Sequence, residues 1–124
     1  MPSQNNTGRQ YDKTHGVTTV AQVALADARF VAYDGGYPTN AGGAKAVQGV
    51  SESNAAAGDA LNLVTGYSAL VEAGAAIGFG TLVKADATGR AIAGTLTDHC
   101  GRALGASTAA GQLIEVQLLQ HTHP

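Results

Sequence analysis

The chain has 124 residues, a mass of 12.4 kDa and a formal net charge of −2, the size of one domain. Its 17 Gly and 24 Ala make up a third of the residues, while charged residues are 13% and aromatics 5%, with no Trp. These figures exclude three classes: no apolar run reaches the roughly 18 residues of a membrane span, seven Lys and Arg scattered among nine acids form no patch for nucleic acid, and one cysteine, Cys100, makes no internal disulfide.

Residues 1–16 contain no Val, Leu, Ile or Phe and are rich in Asn, Gln, Ser, Thr and Gly. Such a segment buries no apolar surface of its own. It reads as an extended N-terminal arm that orders on a partner, with Tyr11 as anchor and Arg9, Lys13 and His15 as polar contacts. The plainer alternative is a frayed terminus. The segment lacks the apolar core and basic lead of a secretory signal, so the chain is expected to fold in the cytoplasm where it is made.

From residue 17 onward, short apolar runs alternate with turn residues. Residues 17–23 (VTTVAQV) are β-branched and follow Gly16, which predicts a strand. Residues 29–33 (RFVAY) form a second, stopped by Asp34-Gly35-Gly36, and residues 46–50 a third. Residues 60–64 (ALNLV) alternate with period two and are followed by 68–72 (SALVE), so Thr65-Gly66-Tyr67 reads as a hairpin turn. Residues 81–85 (TLVKA) stop at Asp86-Ala87-Thr88-Gly89, with 90–93 returning; residues 103–107 and 113–119 close the domain. In the last strand Ile114 and Val116 are expected inward, Glu115 and Gln117 outward. Ala-rich stretches are cut by Gly58, Gly74 and Gly78, leaving room for at most one short helix. The expected class is all-β, a small barrel or sandwich. Residues 17–119 form the domain and residues 120–124 a tail.

The domain also reads as built twice over by sequence: residues 27–34 match 79–86, residues 48–51 match 104–107, and residues 57–64 match 110–116, in the same order. The repeat spans about 27–64 and 79–116. Half a unit of this size cannot bury its own apolar face, so two halves must share a core.

Catalytic constellations do not assemble. The glycine pairs Gly35-Gly36 and Gly42-Gly43 precede no Lys-Ser/Thr and no long helix, so they read as turns rather than a phosphate cradle. His121 and His123 share one side of an extended tail, but two ligands do not make a metal site. His99 beside Cys100 has no third group to orient it, and Cys100 reads as a small buried thiol. Asp34, Asp59 and Asp86 sit where short side chains accept turn N–H groups. Lys84 lacks the flanking Met of a biotinyl or lipoyl lysine. No enzyme activity, cofactor or metal is expected.

One stretch carries a resemblance. Residues 73–90 (AGAAIGFGTLVKADATGR), the bend at 101–105 (GRALG) and the last strand at 111–118 (GQLIEVQL) resemble the core of tailed-phage capsid decoration, or cement, proteins. The resemblance covers residues 24–119. It implies a pseudo-duplicated, β-tulip-like domain that binds the outer surface of an icosahedral capsid within the virion, after synthesis in the bacterial cytoplasm. It also implies the major capsid protein as partner and a homotrimer on three-fold and quasi-three-fold axes, cementing neighbouring subunits against internal DNA pressure. The alternative is a receptor- or glycan-binding β module of a phage tail or fibre.

Overall fold

The structure is a computed structural model and describes residues 16–39 and 43–119. The short apolar runs become nine strands: β1 (Gly16–Val20), β2 (Phe30–Ala32), β3 (Val47–Ser51), β4 (Ala60–Val64), β5 (Ser68–Glu72), β6 (Leu82–Ala85), β7 (Ala91–Ala93), β8 (Gly101–Ala103) and β9 (Leu113–Leu118). A single 3-10 turn, Gly43–Lys45, is the only helical element among the described residues. The strands form two antiparallel sheets, ordered β1-β4-β3-β2 and β5-β9-β8-β6-β7. The fold is all-β and sandwich-like. Residues 1–15 and 120–124, which hold most of the expected arm and the tail, lie outside the described residues.

Alternation decides which faces are buried. Ile114 and Val116 of β9 face the core while Glu115 is exposed, as the period-two pattern predicts. Leu61 and Leu63 do the same on β4. One core cluster takes Val71, Val83, Ala91, Ala103, Ile114 and Val116 from the second sheet and Phe30 and Val50 from the first. A second cluster, Ala21, Leu25, Val31, Ala55, Leu61 and Leu63 with Tyr37 against it, lies within the first half of the chain. The two buried hydroxyl residues among the described residues serve the backbone: Ser51 Oγ donates to the Ala26 carbonyl at 2.7 Å and Ser107 Oγ to the Ala75 carbonyl at 2.8 Å.

Three expectations about the strands are corrected. Thr65-Gly66-Tyr67 is not a hairpin turn. It carries the chain from one sheet to the other, because both sides of β4 are already taken by β1 and β3, and β5 pairs instead with β9. The eighth strand is Gly101–Ala103 rather than 103–107. A Cβ on Gly101 would stand 2.5 Å from Val116 Cγ1, so the closeness of β8 to β9 requires a residue that strand propensity disfavours. Ser107 is left in an isolated bridge with Ile77. The first strand is also shorter than expected, since the chain bends after Val20 to bury Ala21 and Leu25.

The two sheets are wound alike: the succession β1-β4-β3-β2 recurs as β5-β9-β8-β6, with β7 added at the end. Ala21 donates to Asp59 and accepts from Gly58, while Ala73 donates to Gln112 and accepts from Gly111. Leu25 bridges Ala55 as Ile77 bridges Ser107. The Ala28 N–H donates to Ser51 as the Gly80 N–H donates to Ala103. In this register Gly101, not Gly105, stands where Gly49 stands in the first sheet.

The sheets are joined at Ala28–Arg29–Phe30. The Phe30 N–H donates to the Gly89 carbonyl and the Glu72 N–H to the Ala28 carbonyl, both at 2.8 Å. Arg29 Nη2 reaches Glu72 Oε1 at 3.1 Å, and Arg90 Nη1 reaches the other oxygen of the same carboxylate at 3.5 Å. At the crossover between sheets, Gly16 lies opposite Val64 and the Leu118 N–H donates to the Tyr67 carbonyl, so both ends of the domain emerge beside residues 64–67.

Candidate attachment surface

The groups with chemical potential are held in structural roles. Asp98 pairs with Lys84 at 3.4 Å, and His99 Nδ1 lies 2.9 Å from the Thr95 carbonyl oxygen. Burial, with the Asp98 carboxylate adding to it, pushes the Cys100 thiol up to about 12, so at neutral pH it is protonated and a poor nucleophile. The cavity against Lys84, Asp98 and Cys100 is only about 40 Å³, room for water and no substrate. No cluster of three His, Cys, Asp or Glu able to hold a metal occurs among the described residues. No helix among them is long and apolar enough to cross a membrane.

The turn aspartates act as the sequence predicts. Asp34 Oδ1 accepts from the Gly36 N–H at 2.9 Å, and its other oxygen pairs with Lys45 at 2.6 Å. The Lys45 hydrogen bond, then the Gly36 N–H, hold its carboxyl below the ordinary value of 3.8. At Asp86, burial acts to raise the carboxyl, but the N–H groups of Arg90 and Thr88, the Thr88 hydroxyl and the Arg90 guanidinium together hold it below 3.8.

What remains for function is surface. Leu96 is 82% exposed at the turn between β7 and β8, and Phe79 is 74% exposed just before β6. Leu70 and Leu113 stand out from β5 and β9 and line a groove with Val50, Val64 and Ala69, where Asp27 and Glu52 also stand. Val17 and Val20 are exposed on β1 at the outer edge of the first sheet. Arg9, Tyr11, Lys13 and His15, the contacts expected from the sequence, lie outside the described residues. The exposed apolar positions were not singled out by sequence, because a Leu, Val or Phe within or beside a short apolar run reads equally as core.

Asp34, Asp86, Asp98, Glu72 and their cationic partners are held in turns and ion pairs, and several large apolar side chains stand exposed on the surface. The sequence model of the phage cement protein family matches residues 10–118. The chain belongs to this family. As a cement protein it is a structural, non-enzymatic component of the phage capsid. The fold is similar to that of the N base of the head fibre protein gp8.5 of bacteriophage phi29, with a TM-score of 0.66 and 18% identity over 88% of this chain and 97% of the other. No curated protein matches the chain.

Proposed function

We propose that this cement protein binds the outer surface of an icosahedral capsid and bridges neighbouring major capsid protein subunits, holding them against the pressure of packaged DNA. Membership of the cement family carries the proposal. The arm contributes Arg9, Tyr11, Lys13 and His15 to the capsid contact, and three copies share each three-fold or quasi-three-fold axis, so that modest contacts gain strength by repetition. We also read the domain as two copies of one ancestral unit in a pseudo-duplicated, tulip-like body, a reading supported by the matching strand order of the two sheets. The test is co-sedimentation with undecorated capsids, with residues 1–15 present or deleted. The full chain pellets with capsids and raises the temperature at which filled capsids lose DNA. The truncated chain stays folded but binds at least tenfold more weakly. Equal binding by both would remove the arm from the contact.

A second reading, a glycan- or receptor-binding module, draws support from the exposed rings of Tyr33, Tyr67 and Phe79, which could stack on sugars. Retention on host cells or on a glycan array in the absence of capsids would favour it.

A further inference from the structure

The two sheets have four outer strands, and their edges are not equally protected. On β2 the Phe30 N–H donates to Gly89, the Ala32 N–H to Gly36, and the Ala32 carbonyl accepts from Gly35. On β7 the Ala91 carbonyl accepts from Gly74. On β5 the Glu72 N–H is taken by Ala28. β1 is different. Leu61 and Leu63 of β4 lie opposite Thr19 and Val17, and Ala21 exchanges hydrogen bonds on that same side. By alternation, Gly16, Thr18 and Val20 therefore turn their N–H groups away from β4. None of these three N–H groups has a hydrogen-bond partner among the described residues. Val20 occupies on β1 the place that Glu72 occupies on β5, where the same N–H is filled.

The residues of β1 add to the contrast. Its sequence, GVTTV, carries no charge, no Pro and no bulge, the devices by which exposed edges are normally kept from pairing. Val17 and Val20 offer apolar contact on its two faces.

We propose that the outer edge of β1 is a strand-addition site, and that its occupant is an extended segment of the capsid protein. The proposal rests on the capsid-attachment reading and names the surface and the bonding by which it occurs. An open strand edge recognises one chemistry, the alternating N–H and C=O groups of another extended backbone. The incoming strand pairs through the outward groups of Gly16 and Thr18, ends at the Val20 N–H because Gly35 covers the Val20 carbonyl, and sets apolar side chains beside Val17 and Val20. A second copy of this chain is the weaker occupant: an edge of five residues buries far less than the roughly 1,200 Å² of a stable two-protein interface. On a lattice the same short edge is repeated at every site, so weak pairing suffices.

Hydrogen–deuterium exchange of the full chain, free and bound to undecorated capsids, tests this directly, together with binding by two variants. Thr18→Pro removes the central outward N–H and spares the bonds from Val17 and Thr19 to β4, a placement that edge strands tolerate. Val20→Lys sets a charge at the edge without altering the backbone. We expect slowed exchange at Thr18 and Val20 on capsid binding. Both variants should bind at least tenfold more weakly than the wild type, while Ala109→Ser in the exposed turn before β9 binds normally. Capsid binding with unchanged exchange at Thr18 and Val20, and wild-type affinity in Val20→Lys, would overturn the site and leave the attachment reading standing. Failure of the wild type to bind capsids at all would overturn both. Protection of Thr18 and Val20 that grows with protein concentration without capsids, and vanishes in Val20→Lys, would assign the edge to a second copy and overturn the capsid occupant.

Discussion

Among the residues that hold the two sheets together, Ala28 is under backbone strain. It sits at φ 56°, the left-handed region that costs an L-residue about 1–2 kcal/mol, where its counterpart in the second sheet is Gly80 at φ 84°. Its carbonyl accepts the Glu72 N–H across the sheets, so the conformation is held by the contact it makes. Ala28→Gly should raise stability by about 0.5–1 kcal/mol in urea denaturation, the relief of strain exceeding the added freedom of the unfolded chain. Asp86 supplies a second expectation. Its carboxyl titrates below 3.8 when folded, so its contribution is complete above the unfolded value and is lost as pH falls through the lower folded value. Stability measured by denaturation at a series of pH values should therefore decline below about pH 4. Asp86→Asn should be less stable than the wild type at neutral pH and lose less on acidification. Asp34 adds to the same acid loss, its carboxyl also being held low.

Among the elements, what was legible in the sequence followed the strength of alternation. β4 and β9, with Leu61, Leu63, Ile114 and Val116 at every second position, were readable residue by residue. β8 was not, because its pairing depends on the absence of a side chain at Gly101, and no propensity scale rewards that. The crossover at Thr65-Gly66-Tyr67 was misread because Thr-Gly between two strands has the same local chemistry whether the second strand pairs with the first or with another. The consequence at β8 is testable. In Gly101→Ala a new methyl would lie 2.5 Å from Val116 Cγ1 and 2.7 Å from the Gln117 carbonyl oxygen. The strands must move apart, which should cost about 1–3 kcal/mol in thermal or urea denaturation. Gly105→Ala, whose methyl would find nothing nearer than 3.7 Å, should be nearly neutral. The open edge of β1 was invisible for a different reason: GVTTV announces a strand, and only the partners of every other strand reveal that it is an outer one.

At the scale of the molecule, the sequence and the structure supply complementary halves of the account. The motifs at residues 73–90 pointed to the family that the match over residues 10–118 establishes. The joint between sheets had no such signal. Arg29, Glu72 and Arg90 are far apart in sequence, and nothing in their spacing marks them as partners, yet one carboxylate spans both guanidiniums. The side chains of Arg29 and Glu72 are 16% and 25% exposed, so the joint is shielded enough to matter and costly to break on one side only.

The crossover beside residues 64–67 has a practical corollary for anyone wishing to display cargo on a phage head. Because Gly16 and Leu118 lie at the same corner, a protein fused directly to the end of β9 would start beside the first residue of β1, and the two would compete for space. Such a fusion should decorate heads poorly, measured by the copy number retained after gradient purification. A peptide inserted next to Ala109, in the exposed turn before β9, should be carried at full occupancy. For this scaffold the loop, rather than the terminus, is the handle.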